Sequence, residues 1–225
     1  MSVFTISINQ LSEYISASDA RKRTIVKQQL NPSSLVVPWY KSARTAMKKC
    51  IENGFSKSFI ISGIEKLQKS KQESDFQKNN VRASIEALNI FLKIHFPDHI
   101  EKMKCTFLKA DNKILHIEGV DIKVAPDVII RTKVNGKSVV GGIKFRLSKG
   151  HGFEMLNCLC AATAMKLFLQ KHVANSDEVV DPAFCLSVDV FSERVVPAPK
   201  DTLQYEQILA EACKEITLNL KLPTA

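Results

Sequence analysis

Hydrophobic and polar residues follow two different periods along this chain. In the first half, apolar residues recur at intervals of three and four, which is typical of amphipathic helices. We expect helices over about residues 18–31, 38–54, 56–67 and 80–95. After Lys104 apolar and polar residues alternate, which predicts strands. The two periods therefore predict a helical first half and a second half that contains a sheet.

The helix predicted over residues 38–54 has distinct polar and apolar sides. Pro38 suits its first position, and Trp39 and Met47 mark the side that we expect to be buried. The segment 68–78 is polar and charged, and it is read as a frayed helix end or a linker.

A tight hairpin is the clearest local feature of the second half. Asn135-Gly136 stands between two runs that are rich in β-branched residues. Both central residues of a type I′ turn need positive φ, which Asn and Gly adopt readily, so this dipeptide predicts a β-hairpin. A two-residue turn makes Val134 the partner of Lys137.

Counting outward from this turn places Asp127 opposite Lys144. Directly opposed residues share one face of a sheet, and strand parity puts Gly142 and Arg146 on that face as well. The hairpin therefore predicts a carboxylate and an ammonium group side by side, next to a glycine. An ordinary cross-strand ion pair on a solvated sheet face is the simplest alternative to a catalytic site.

The other elements of the second half follow from the same patterns. Residues 113–117 predict a first strand, and 120–124 either extend it or lead to the next. The hairpin supplies the second and third strands. Further along, the pattern predicts a long apolar helix over 153–173, a fourth strand over 183–191 and a last helix over 203–220.

This order of elements predicts an α/β (α+β) fold. Because a helix separates the third and fourth strands, a crossover can make them parallel neighbours. We expect a helical, basic amino-terminal region (1–78), followed in residues 79–225 by a mixed four-stranded sheet flanked by helices.

Composition narrows the class of protein. The chain has 225 residues with 45% hydrophobic content, which indicates a globular protein. No apolar run is long enough to span a membrane, and the first residues do not resemble a signal peptide, so a cytoplasmic protein without a membrane partner is expected. The six cysteines form no Cys-x-x-Cys pair, so we expect reduced, mostly buried thiols.

The net charge of +9 favours an acidic partner, and nucleic acid is one such partner because cations release its counterions. DNA is favoured over RNA. Two predicted helices carry clusters of basic residues, and further basic residues follow Lys144. The candidate nucleic-acid-binding residues are Arg21, Arg23, Lys27, Lys41, Lys48, Lys49, Arg146 and Lys149. Ordinary solvated helix faces are the alternative.

Pro126-Asp127 at the start of one hairpin strand, with Gly142-Ile143-Lys144 in the other, resembles the PD-(D/E)XK nuclease superfamily over roughly residues 80–192. The resemblance implies a restriction-endonuclease-like fold and a magnesium ion. It makes Asp127 a metal ligand and Lys144 the cation that stabilises charge at the attacking water or phosphate. Glu86 matches the position of an extra acid on the preceding helix.

Gly142 stands where this family has its second acid, and one carboxylate binds magnesium weakly. Two explanations remain open. Either Glu154, near the start of the next helix, supplies the acid and joins Asp127 as a metal ligand, or the site is inactive. Gly141-Gly142 in a strand also indicates a bulge or the close approach of another group.

The resulting expectation is a nucleic-acid-associated protein with a degenerate, non-catalytic site, acting as a DNA-binding or assembly subunit alongside other protein subunits. Phage or plasmid defence is its setting by analogy. The alternative is an active magnesium-dependent nuclease with Asp127 and Lys144 as catalytic residues, assisted by Glu86 or Glu154.

Overall fold

The computed structural model describes residues 4–31, 39–149 and 153–221, which form two β-sheets with helices packed around them. The helices are α1 (Ile8–Ser16), α2 (Asp19–Leu30), α3 (Lys41–Glu52), α4 (Ser58–Gln68), α5 (Asp75–Phe91), α6 (Asp98–Glu101), α7 (Met155–His172) and α8 (Leu203–Lys221). The strands are β1 (Phe4–Ser7), β2 (Cys105–Leu108), β3 (Ile114–Ile117), β4 (Val120–Lys123), β5 (Val128–Val134), β6 (Lys137–Arg146), β7 (Val179–Asp189) and β8 (Arg194–Pro197).

The larger sheet is built around the predicted hairpin, with strand order β2-β5-β6-β7-β8. Val134 pairs with Lys137 across the turn, and Asn135 and Gly136 both have positive φ, as predicted. Strands β6 and β7 are parallel neighbours joined through α7, which also confirms the predicted crossover. The remaining pairs are antiparallel, so the sheet is mixed.

The general α+β class is confirmed, but the expectation of one four-stranded sheet is wrong. The larger sheet has five strands, and a second, three-stranded sheet has the order β1-β4-β3. Strand β1 pairs in parallel with β4, from Phe4 opposite Val120 to Ser7 opposite Lys123. Local patterns do not reveal a pairing between four-residue segments that lie so far apart in sequence.

The helices follow the apolar pattern closely, with differences at their ends. Helix α3 begins at Lys41, and the predicted start at Pro38 lies outside the described residues. Helix α5 begins at Asp75, inside the segment read as a frayed end or linker. Ser74 and Gln77 form a capping box there, which satisfies the first free backbone N–H groups of the helix.

Two hydrophobic clusters fill the two faces of the larger sheet. The first joins the three-stranded sheet, α1, α2, α7 and α8 to one face, and it includes Ile25 and Val140. The second joins α3, α4 and α5 to the other face, and it includes Met47 and Phe145. Each cluster combines side chains from before and after residue 78, and α2 and α3 lie on opposite sides of the larger sheet.

All six cysteines are free thiols, five of them buried, as predicted. Within the described ranges, no helix is both long enough and apolar enough to cross a lipid bilayer.

Candidate functional site

Asp127 and Lys144 meet at the end of the larger sheet, as the hairpin predicted. Lys144 Nζ lies 3.9 Å from Asp127 Oδ2, and both side chains are largely buried. The predicted pairing of the two side chains across the hairpin is therefore confirmed. Their other contacts decide what they do.

Asp127 completes a strand end where a backbone partner is missing. Strand β6 continues past the start of β5, and the Phe145 N–H donates to Asp127 Oδ2 at 2.8 Å. Arg44 of α3 donates to Asp127 Oδ1 at 2.7 Å and to the Phe145 carbonyl at 3.2 Å. The Asp127 carboxylate and the Arg44 guanidinium thus replace a neighbouring strand and connect α3 to β6.

Lys144 stabilises the turn that precedes Asp127. Its ammonium donates to the Ala125 carbonyl at 2.7 Å, and Ala125 has a φ of 40°, in the left-handed region that a residue with a Cβ rarely adopts. Burial lowers the pKa of Lys144, while the Asp127 carboxylate acts to raise it. The contacts of Lys144 therefore give it a structural role.

Gly142 is explained by the close packing of α7. A Cβ atom added there would lie 3.0 Å from Met165 Sδ and 3.2 Å from Leu169 Cδ1. Of the two alternatives predicted for Gly141-Gly142, the close approach of another group is therefore the one present at Gly142. The pairing of β6 with β7 also shifts between Val140 and Gly142, but the extra residues lie in β7, and the pairing of β6 with β5 is regular. The position that holds an acid in the resembled family faces a helix in this protein.

The two replacement acids are engaged elsewhere. Glu154 is exposed and is the N-cap residue of α7, where its backbone N–H donates to Asn157 Oδ1 at 2.6 Å. Glu86 forms an exposed ion pair with Lys149. Neither carboxylate has a hydrogen bond or ion pair with Asp127 or Lys144 among the described residues.

The residues around Asp127 do not fit a magnesium site. Its carboxylate already pairs with the Arg44 guanidinium, and a divalent cation would have to displace that charge. In the described ranges, no group of three His, Cys, Asp or Glu side chains is arranged to hold a metal ion. The proposed metal ligands Asp127 and Glu154 thus gain no support.

The predicted basic residues do not form one surface. Arg21 pairs with Glu13 on the side of the sheet that carries α2, where Arg23 and Lys27 are also exposed. Arg146 is buried with Asp189, so it does not contribute to a surface. Lys149 is engaged with Glu86, as described above. The remaining candidates, Lys41, Lys48 and Lys49, lie on α3, on the other side of the sheet.

A cleft of about 340 Å³ opens beside Asp127, and we call it the Trp39 cleft. It is lined by Trp39, Lys41, Arg44, Thr45, Lys48, Pro126 and Asp127. The spacing of Lys41, Arg44 and Lys48 along α3 puts their positive charges on one face of the helix. Arg44 is balanced by Asp127, and Lys48 lies 3.6 Å from Glu52. The basic side chains of the cleft therefore outnumber its one acid, Asp127, and the cleft carries a net positive charge.

The prediction for Trp39 is wrong. The apolar periodicity predicts Trp39 on the buried side of a helix, but the residue lies before α3 and is 45% exposed. Its ring packs edge to face with Phe76, at 5.1 Å between ring centroids. A tryptophan followed at once by closely spaced basic residues was the available sequence signal for an aromatic, cationic surface.

A larger cavity, of about 1010 Å³, lies along the edge strand β2 and the hairpin tip. Its lining includes His99, Phe184 and Arg131. The Arg131 guanidinium is held by the buried Glu178, and the His99 ring packs against Phe184. The Arg131 guanidinium and the His99 ring are therefore engaged in the fold.

Replacing Asp127 with asparagine is expected to lower the free energy of unfolding by about 2 kcal/mol. Asparagine carries no charge and has one acceptor oxygen, whereas the carboxylate accepts from both Arg44 and the Phe145 N–H. Urea unfolding measures this change. Asp98→Asn is the matched control: it removes an exposed pair with Lys102 and should change stability by less than about 0.5 kcal/mol. A rise in stability for Asp127→Asn, as expected when removal of a strained catalytic acid relieves repulsion, would contradict the structural role.

Compared with known proteins, the sequence matches no family model and no curated protein.

Proposed function

We propose that this chain is a nucleic-acid-binding protein without nuclease activity and that it binds phosphates at the Trp39 cleft. The observation that carries the proposal is the pairing of Asp127 with Arg44 rather than with a second acid. In this proposal the hairpin resembles that of the PD-(D/E)XK superfamily, but Arg44 occupies the carboxylate that would otherwise bind a catalytic metal ion. The kinship to that superfamily is part of the proposal.

The charge of the cleft supports phosphate binding. Lys41 has no carboxylate partner among the described residues, and it stands next to Arg44 and Lys48 on one helix face. Phosphate oxygens are attracted to such clusters whatever the base sequence, because binding releases condensed counterions. The cleft therefore suits binding of low sequence specificity.

The test is fluorescence anisotropy of labelled DNA over a series of salt concentrations. The double variant Lys41→Ala/Lys48→Ala should weaken binding of duplex DNA at least about tenfold. The slope of log K against log[salt] should also become shallower, by the equivalent of about two phosphate contacts. Lys171→Ala/Lys214→Ala is the control, since it removes the same charge from α7 and α8, on the other side of the sheet. Equal effects of the two double variants, or no binding at all, would refute the proposal.

Absence of cleavage is tested separately. Incubation of DNA with the protein and magnesium or manganese is expected to leave the DNA intact. Cleavage that is lost in Asp127→Ala and in Lys144→Ala would instead support the active nuclease, for which the close approach of these two side chains is the favourable observation.

A further inference from the structure

A groove of about 730 Å³ runs between α3 and α4. The two helices approach closely at Gly63, where an added Cβ would lie 2.8 Å from the Cβ of Ala46. Polar residues line both walls of the groove. They are Lys41, Ser42, Thr45 and Lys49 on the α3 side, and Ser58, Ser62, Lys66 and Ser70 on the α4 side. Ser58, Ser62 and Lys66 recur every four residues, which places them along one line of the α4 surface, and Ser70 follows just beyond the end of the helix.

The groove contains hydrogen-bond donors for an anion. Within residues 4–31, 39–149 and 153–221, no Asp or Glu belongs to its lining. Among the described residues, the ammonium groups of Lys41, Lys49 and Lys66 have no carboxylate partner, and the hydroxyls of Ser42 and Ser62 make no hydrogen bond. A row of free cations and hydroxyl donors suits the oxygens of consecutive phosphates.

The groove and the Trp39 cleft form one surface. Lys41 and Thr45 line both, so the donors of the groove continue across α3 to the cleft. At the cleft, Trp39 and its neighbour Phe76 are 45% and 38% exposed. Exposed aromatic rings next to a cationic track stack on unpaired bases, and a duplex does not offer such bases.

We infer that the ligand is single-stranded nucleic acid, with its backbone along the α3–α4 groove and a base stacked on Trp39. This inference rests on the proposed function and adds the class of strand to it. Duplex DNA binds the same cations only through its outer phosphates, so it gains no stacking and binds more weakly.

Trp39 provides a direct readout, because it is the only tryptophan of the chain. Titration with an oligothymidylate single strand is expected to quench tryptophan emission. A duplex of the same length should leave the emission nearly unchanged and bind about tenfold more weakly. Trp39→Ala should weaken single-strand binding about tenfold, and Trp39→Phe, which keeps an aromatic ring, should restore most of it.

The groove is tested with Lys49→Ala/Lys66→Ala. For a single strand, losing two phosphate contacts should reduce the slope of log K against log[salt] by about 1.4, whereas the control Lys171→Ala/Lys214→Ala should leave this slope unchanged. Equal affinity for duplex and single strand without a change in tryptophan emission would overturn the inference and leave the proposed function standing. No binding of either form would overturn both.

Discussion

Replacing Gly142 with glutamate is expected to unfold the protein rather than to restore a nuclease. The Cβ of the new side chain would meet Met165 and Leu169 of α7 at 3.0 and 3.2 Å, so the carboxylate would enter an apolar interior. Burying an unpaired charge and overpacking the core together cost about 5 kcal/mol or more. That cost approaches the whole stability of a typical domain.

Gly142→Ala is the matched variant, since it adds the same Cβ without the charge. It should cost about 1–3 kcal/mol, because Met165 and Leu169 have to give way slightly. Urea unfolding followed by circular dichroism measures both variants. A folded Gly142→Glu protein that cleaves DNA with magnesium would show that the site accepts a second acid, and it would contradict the packing argument.

The example of Gly142 shows what could be predicted from the sequence. The hairpin and the approach of Asp127 to Lys144 follow from a two-residue turn and strand parity, which are local rules. The reason for the glycine does not follow from local rules, because it depends on which α7 side chains pack against the sheet at that point. A glycine in a strand indicates close approach but does not identify the group that approaches.

The role of Arg44 also required the structure. The sequence places Arg44 on a basic helix face, and nothing local connects it to a carboxylate 83 positions later. The same limit applies to strand β1, which pairs with β4 across more than half of the chain. Contacts that close such long loops are fixed by the packing of the whole fold, so local propensity does not reveal them.

Stability is expected to fall steeply as the pH rises above about 8.5, because of the buried thiols. Burial raises the pKa of Cys50 to about 11 and the pKa values of Cys160, Cys185 and Cys213 to about 12. In the unfolded chain a cysteine has a pKa of about 8.5. Above that pH the unfolded state loses protons that the folded state keeps, so rising pH favours unfolding.

The expected size is large. Between about pH 7 and pH 9.5, each of these four thiols lowers the free energy of unfolding by about 1.4 kcal/mol, so together they lower it by about 5–6 kcal/mol. Lys144 acts in the opposite direction. Its folded pKa lies below its unfolded value, so the folded state binds fewer protons and gains stability as the pH rises between the two. Because Lys144 is one group and the thiols are four, the free energy of unfolding is still expected to fall as the pH rises.

Urea unfolding under reducing conditions at about pH 7, 8.5 and 9.5 measures this slope. Cys213→Ala isolates one thiol: the variant should be less stable than the parent at neutral pH because of the cavity, yet lose about 1.4 kcal/mol less on the way to pH 9.5. Comparing slopes removes the contribution of every group that the two proteins share. A parent protein equally stable at pH 7 and 9.5, or a variant with the same slope, would mean that these thiols ionise in the folded state as readily as in the unfolded chain.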